Sequence, residues 1–141
     1  MSVPARDAAN SMYADDAASK MLGMEIVDID YGRAAVTMTV RTDMVNGLDI
    51  CHGGLIFTLA DTAMAFATNS YNNYAVATNA EIDWVAPGRT GDVLTATATE
   101  RHRAGRNAIT DVVVTNQAGE LVAHFRGRTR QVNGHHIPDP E

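Results

Sequence analysis

Cysteine occurs once, at Cys51, in a chain of 141 residues. A lone cysteine closes no intramolecular bridge, and no basic segment followed by an apolar one opens the chain. A reducing, cytoplasmic setting is therefore expected, and a disulfide scaffold is excluded. No run of about 18 apolar residues is present, so no transmembrane helix is expected. Positive charge is scarce: 11 Lys and Arg stand against 17 Asp and Glu, a net charge of −6. That balance disfavours a general binder of nucleic acid or anionic membranes. Also missing are a G-x-S-x-G elbow, a Walker loop and a G-x-G-x-x-G turn, each of which would have pointed to its own chemistry.

What remains is an ordinary globular composition, 45% hydrophobic and 20% charged. One domain over 1–141 is expected, large enough to bury roughly 68–70% of its extended-chain surface without disulfides or structural metal. Alanines at helical spacing predict a first helix over 4–22, stopped by Gly23. Alternation over 24–40 predicts two strands turning at Tyr31-Gly32-Arg33, followed by a loop over 41–51. Residues 53–71 lack proline and β-branched runs and predict a long helix. Four strands are expected after it, over 75–85, 92–102, 107–116 and 120–130, with turns at Ala86-Pro87-Gly88, Ala104-Gly105 and Gln117-Ala118-Gly119. Residues 131–141 read as a frayed tail. The order implies an α+β fold in which consecutive strands form an antiparallel meander and the long helix buries its apolar stripe against the sheet.

That helix carries the first chemical signal. At 100° per residue, Leu55, Ile56, Leu59, Ala60, Ala63, Phe66 and Ala67 form one stripe, expected to face the sheet. Phe57, Met64 and Thr68 fall opposite, with Asp61 among them. Asp61 is the one formally charged residue from Ile50 to Ala80. A helix apolar nearly all round is buried all round, which points to a second subunit as the other cover. A buried carboxylate is costly, so Asp61 is either kept for its chemistry or neutralised as a structural residue capped by the Thr58 or Thr62 hydroxyl.

The residues before the helix, Asn46 to Gly54, add a second signal. Gly53 and Gly54 at a helix start let a ligand carbonyl approach free backbone N–H groups in the positive end of the helix dipole; a glycine pair there is also an ordinary turn. His52 has no second histidine or cysteine at metal-ligand spacing, so no metal is expected, and orienting a ligand or a structural role is the better reading. Cys51 and His52 are neighbours whose side chains would point apart in an extended segment. His135, His136 and Asp139 are read as solvated rather than metal-binding. From Arg101 to Arg130, six arginines face Asp111 and Glu120, a local excess that suits a small anionic ligand or a solvated outer strand face. Gly53 and Asp61 are eight residues apart, roughly 12 Å along a helix, too far to act on one carbonyl. Two antiparallel helices across a twofold would bring each Asp61 toward the other subunit's Gly53.

Taken together, Asn46-Gly47, Cys51-His52-Gly53-Gly54 and Leu59-Ala60-Asp61-Thr62-Ala63 resemble the hotdog-fold acyl-CoA thioesterases, in particular their phenylacetate-pathway type. The resemblance extends over Ala9 to Met24, the strand Ala35 to Val40, Pro87-Gly88 with Gly91-Asp92 and Leu94-Thr95-Ala96, and Phe125-Arg126-Gly127, about residues 9 to 130 in all. It implies a hotdog fold, a five- or six-stranded antiparallel sheet wrapped around the long helix, with an N-terminal helix. It also implies a homo-oligomer, a dimer or a dimer of dimers, with sites between subunits. The implied reaction is hydrolysis of aryl or phenylacetyl-type CoA thioesters, hydroxyphenylacetyl-CoA foremost.

By the same resemblance Asp61 matches the catalytic carboxylate, activating water or attacking the carbonyl, and Gly53 matches the residue whose N–H polarises the thioester oxygen. His52 and Asn46 match groups that orient thioester and water, and Thr62 a neighbour on the carboxylate side. Gly54 borders the substrate. Coenzyme A enters as substrate, so no cofactor is expected. Its phosphates suit arginine forks, Arg106 first and Arg89 second. Tyr71, with Asn72, Asn73 and Tyr74, stands where ring-substituent preference would be set. The alternatives are a hotdog hydratase or dehydratase, which relies on a catalytic histidine in a differently placed motif whereas this helix carries an aspartate, and a non-hydrolytic acyl-CoA-binding module.

Overall fold

The computed structural model describes residues 2–138. Two short helices, α1 (Ala5–Ala14) and α2 (Ala17–Met21), stand where the sequence predicts one helix over 4–22. The break falls at Asp15-Asp16 because the Asp16 carboxylate accepts from Ser19 N at 3.0 Å and Ser19 Oγ at 2.6 Å, starting a new helix in place of continuing the old. Strands β1 (Glu25–Asp30) and β2 (Arg33–Thr39) form the expected hairpin. The long helix α3 (Gly53–Asn69) follows, then β3 (Asn73–Trp84), β4 (Val93–Ala104), β5 (Asn107–Thr115) and β6 (Leu121–His135).

All six strands join one antiparallel sheet in the order β1-β2-β4-β5-β6-β3. The expected meander therefore holds from β4 to β6 but not for β3, which crosses to the far edge and pairs with β6 from Trp84↔Ala123 to Asn73↔His135. Neighbours in sequence pair when a tight turn joins them; the connection 85–92 is longer than such a turn and carries the chain across the end of α3 to β2. Its outer side leaves β3 as an edge strand among the described residues.

The stretch read as a frayed tail also differs. Gln131 pairs with Ala75 and His135 with Asn73, so β6 runs well past Arg130. Beyond it, Asn72 holds Ile137 from both sides, accepting from Ile137 N at 2.9 Å and donating to Ile137 O at 2.7 Å. Asn69 Oδ1 meets His136 Nε2 at 2.7 Å. Short-range pattern could not reveal this, because the partners lie more than 55 residues away. Asp139 lies outside the described residues.

Helix α3 rests on the sheet through Ile56, Leu59, Ala60, Ala63, Phe66 and Ala67, all buried. Each large apolar side chain so buried contributes roughly 1.5–3 kcal/mol. Met64 and Thr68, expected on the opposite face, are buried here as well, against β6. Gly127 lacks the Cβ that would overlap Met64 Sδ, and the Thr68 and Thr129 hydroxyls meet at 2.9 Å. Leu55, expected against the sheet, is only half-buried. The face that the sheet leaves uncovered runs through Gly54, Thr58, Asp61 and Ala65.

Candidate active site

The approach to α3 is held by backbone. Cys51 N donates to Gly88 O at 2.7 Å, and His52 N to Met44 O at 2.8 Å. His52 is the N-cap residue; its carbonyl accepts from Leu55 N and Ile56 N, while its exposed imidazole makes no capping bond. The N–H groups of Gly53 and Gly54 precede the first intrahelical bond and have no acceptor among the described residues. They carry the positive end of a 17-residue helix.

Asn46 sets the loop that feeds this turn. Its Oδ1 accepts from Leu48 N at 2.9 Å and Ile50 N at 3.4 Å, and its backbone N donates to Ile50 O at 2.8 Å. The carboxamide oxygen is thus committed to the fold, and its NH2 is left over. Asn46 and Gly53 line one cleft of about 370 Å³ together with Ile50, Ile56, Trp84 and Pro87. His52 and Gly54 line a second, smaller hollow of about 200 Å³ with Asp43 and Leu55.

Trp84 is the residue that sequence reasoning missed. Ala80, Ile82 and Trp84 alternate on the helix-facing side of β3, and the indole lies directly against Gly53: a Cβ there would stand 3.1 Å from the ring, and Trp84 Nε1 donates to Gly53 O at 3.0 Å. Its signal in the sequence is no more than a strand-end aromatic, and the contact partner lies 31 residues upstream.

Asp61 stands two turns along α3 on the uncovered face, half-buried, with no hydrogen bond or ion pair to its carboxylate among the described residues. Desolvation pushes its pKa above the usual 3.8. The capping alternative fails at Thr58, whose Oγ1 donates to Gly54 O at 2.8 Å. Thr62 flanks Asp61, also half-buried. Cys51 is buried, and burial raises its thiol pKa, the opposite of what activates a nucleophile.

The other candidates disperse. Arg89 is exposed in the connection beside Gly88, whose Cα position packs on Cys51, Leu94 and Ile56 at the Gly53 end. Arg106 sits in the β4–β5 turn, its Nη1 3.4 Å from Asn133 Oδ1 and its carbonyl bonded to Gln131 N, at the end of the sheet where β3 begins after α3 rather than at the Gly53 end. Tyr71 follows the C-terminal end of α3; its hydroxyl donates to Glu100 at 2.8 Å, its ring stacks on Tyr31 at 5.7 Å, and Arg103 lies over it at 4.6 Å. One chain therefore places neither Arg106 nor Tyr71 with Gly53. Of the six arginines between Arg101 and Arg130, Arg101 and Arg126 pair with Asp111 and Arg103 with Glu100. Among the described residues no three His, Cys, Asp or Glu side chains gather to hold a metal ion. No described helix is long and apolar enough to cross a membrane.

Comparison with known proteins places these features in context. A family model described as the thioesterase superfamily matches residues 48–123. The acyl-coenzyme A thioesterase PaaI of Escherichia coli (strain K12) is 46% identical over 134 residues, 95% of this chain and 96% of that one. The structure of the E. coli PaaI protein, from the phenylacetic acid degradation operon, superposes with a TM-score of 0.92 over 93% of this chain and 95% of that one, at 46% identity. A Streptococcus mutans protein solved bound to acetyl-CoA superposes with a TM-score of 0.76 over 79% of this chain and 90% of that one, at 28% identity.

Proposed function

The chain belongs to the thioesterase superfamily and is an acyl-CoA thioesterase with the hotdog fold, and on that premise we propose that it hydrolyses aryl and phenylacetyl-type CoA thioesters, hydroxyphenylacetyl-CoA foremost. The observation that carries the mechanism is the pair of features on α3: two N–H groups without acceptors at its start and a desolvated carboxylate without a partner at its middle. The thioester carbonyl oxygen sits against Gly53 N–H, beside Gly54, where the helix dipole stabilises the charge that develops on it. Asp61 of a partner subunit acts on the carbonyl carbon, taking a proton from the attacking water or adding its own oxygen to give an anhydride that water then opens. The C–S bond breaks and CoA departs as a thiolate, a leaving group that needs no strong general acid. His52 and the Asn46 carboxamide NH2 orient the thioester and the water, and Thr62 borders the carboxylate.

Two observations support a shared site. Gly53 and Asp61 are too far apart within one helix to meet on one carbonyl. β3, 12 residues long, is an edge strand whose outer side is unpaired among the described residues, a template for a second copy. Pairing of two copies, and of two such dimers, is the assembly we propose. In it Arg89, and Arg106 of another subunit, are the candidates for the CoA phosphates, and Tyr71 the candidate for sensing ring substituents. The reaction uses no cofactor, and the reducing cytoplasm is its proposed setting.

The test is free-thiol release from phenylacetyl-, hydroxyphenylacetyl-, benzoyl- and straight-chain CoA by the wild type and by Asp61→Asn. Aryl-selective release that falls about 10²–10⁴-fold in the variant is expected. Turnover retained in Asp61→Asn, or release indifferent to the acyl group, contradicts the proposal.

A further inference from the structure

Trp84 is held in place and left open at the same time. Its N–H is satisfied by Gly53 O at 3.0 Å and its ring lies on the Gly53 backbone, yet the residue is 53% exposed in the single chain. An indole normally covers itself; here its free face looks into the cleft lined by Ile50, Ile56, Val85 and Pro87, alongside Gly53. The hydrogen bond fixes the ring plane before any ligand arrives, so little ordering is lost when a flat group settles on it. Gly53 and the indole line the same cleft, and a Cβ at Gly53 would stand 3.1 Å from the ring, so the backbone that would hold a carbonyl borders that plane.

We infer that Trp84 is the specificity-determining platform for the acyl group: the aryl ring of the thioester lies against the indole while its carbonyl is held at Gly53. The inference rests on the hydrolysis proposed above and adds the residue that makes it aryl-selective. An aromatic pair of this kind favours a phenyl ring over an alkyl chain of similar size by roughly two- to tenfold. Gly53 and Trp84 then form a unit, since a Cβ at Gly53 would stand 3.1 Å from the ring and press it back by a few tenths of an ångström.

The experiment compares kcat/KM for phenylacetyl-CoA and hexanoyl-CoA in the wild type, Trp84→Phe and Trp84→Leu. Trp84→Phe keeps the aryl preference, whereas Trp84→Leu lowers the phenylacetyl-to-hexanoyl ratio by roughly two- to tenfold. An equal effect on both substrates overturns the inference. A second measurement needs no variant, because Trp84 is the sole tryptophan. Phenacyl-CoA, a thioether that cannot be hydrolysed, should change its emission to saturation while CoA alone does not. Unchanged emission, or the same change with CoA alone, overturns the inference. Wild type that releases no thiol from any thioester instead sinks the functional reading itself, so the two failures are distinguishable.

Discussion

Asp61 stands eight residues beyond Gly53 on the same straight helix, roughly 12 Å along its axis, with Thr58 between them turned away to the Gly54 carbonyl. No rotamer closes that distance, so a site that uses both needs two chains. Complementation checks this. Gly53→Val and Asp61→Asn should each inactivate the homo-oligomer, the first by crowding the helix start against Trp84. Co-expressed in equal amounts, they should recover about a quarter of wild-type activity, because half of the random dimers are mixed and each mixed dimer keeps one of two sites whole. Recovery of none would place both groups of one site on one chain.

The same carboxylate weighs on the fold. Desolvation raises the Asp61 pKa above 3.8, so the folded chain holds that proton more tightly than the unfolded one. The sign follows: stability is highest below the unfolded carboxylate pKa and falls as pH rises through the folded one, leaving a penalty at neutral pH. Asp61→Asn should therefore raise Tm at pH 7, while the difference from wild type shrinks on acidification toward pH 4. Thermal unfolding at the two pH values measures it; a variant less stable than wild type at pH 7 contradicts a desolvated, unpartnered carboxylate.

Activity should show the counterpart. If Asp61 works ionised, the acid limb of kcat/KM falls at a pH above the ordinary aspartate value, and that limb disappears in whatever residual activity Asp61→Asn keeps. A pH profile with its acid limb at or below 3.8 would mean that another group governs it.

Much of this was legible in the sequence, for a physical reason. The α3 stripe, the glycine pair and the lone charge of Asp61 are local patterns, and helical period places them without knowing the rest of the fold. Trp84 was not legible, because nothing within its own strand says that a helix start 31 residues earlier lies beneath it. Met64 and Thr68 were placed on the wrong face for the same kind of reason. The sheet curls around α3 farther than a flat layer would, and Gly127 on β6 opens room for Met64. Arg106 is assigned by its fork chemistry in the turn after Gly105 and Tyr71 by its place after α3, and the topology sends both to the end of the molecule away from Gly53.

Asn46 separates fold from function within one side chain. Its Oδ1 holds Leu48 N and Ile50 N, while its NH2 is left for the cleft. Asn46→Asp keeps the two acceptor contacts and removes the donor; Asn46→Ala removes everything. The aspartate variant should stay within about 0.5 kcal/mol of wild type yet lose thioester turnover, whereas the alanine variant should lose turnover and about 1 kcal/mol as well. Chemical denaturation alongside thiol release checks both. Full activity in Asn46→Asp would show that the NH2 touches nothing in the reaction.

Away from the site, one polar atom offers a test of the core. Thr110 is fully buried on β5, opposite Gly127 in register, and its Oγ1 has no hydrogen-bond partner among the described residues. The β-branched shape suits the strand; the hydroxyl does not suit its surroundings, and its desolvation is uncompensated. Thr110→Val preserves that shape and deletes the unmet group, so it should stabilise the fold by roughly 1 kcal/mol and raise Tm by about 3 °C. Thr110 lies far from Gly53 in sequence and on the sheet rather than the helix, so kcat/KM should not move. A lower Tm in the valine variant would mean that the hydroxyl is satisfied within the core.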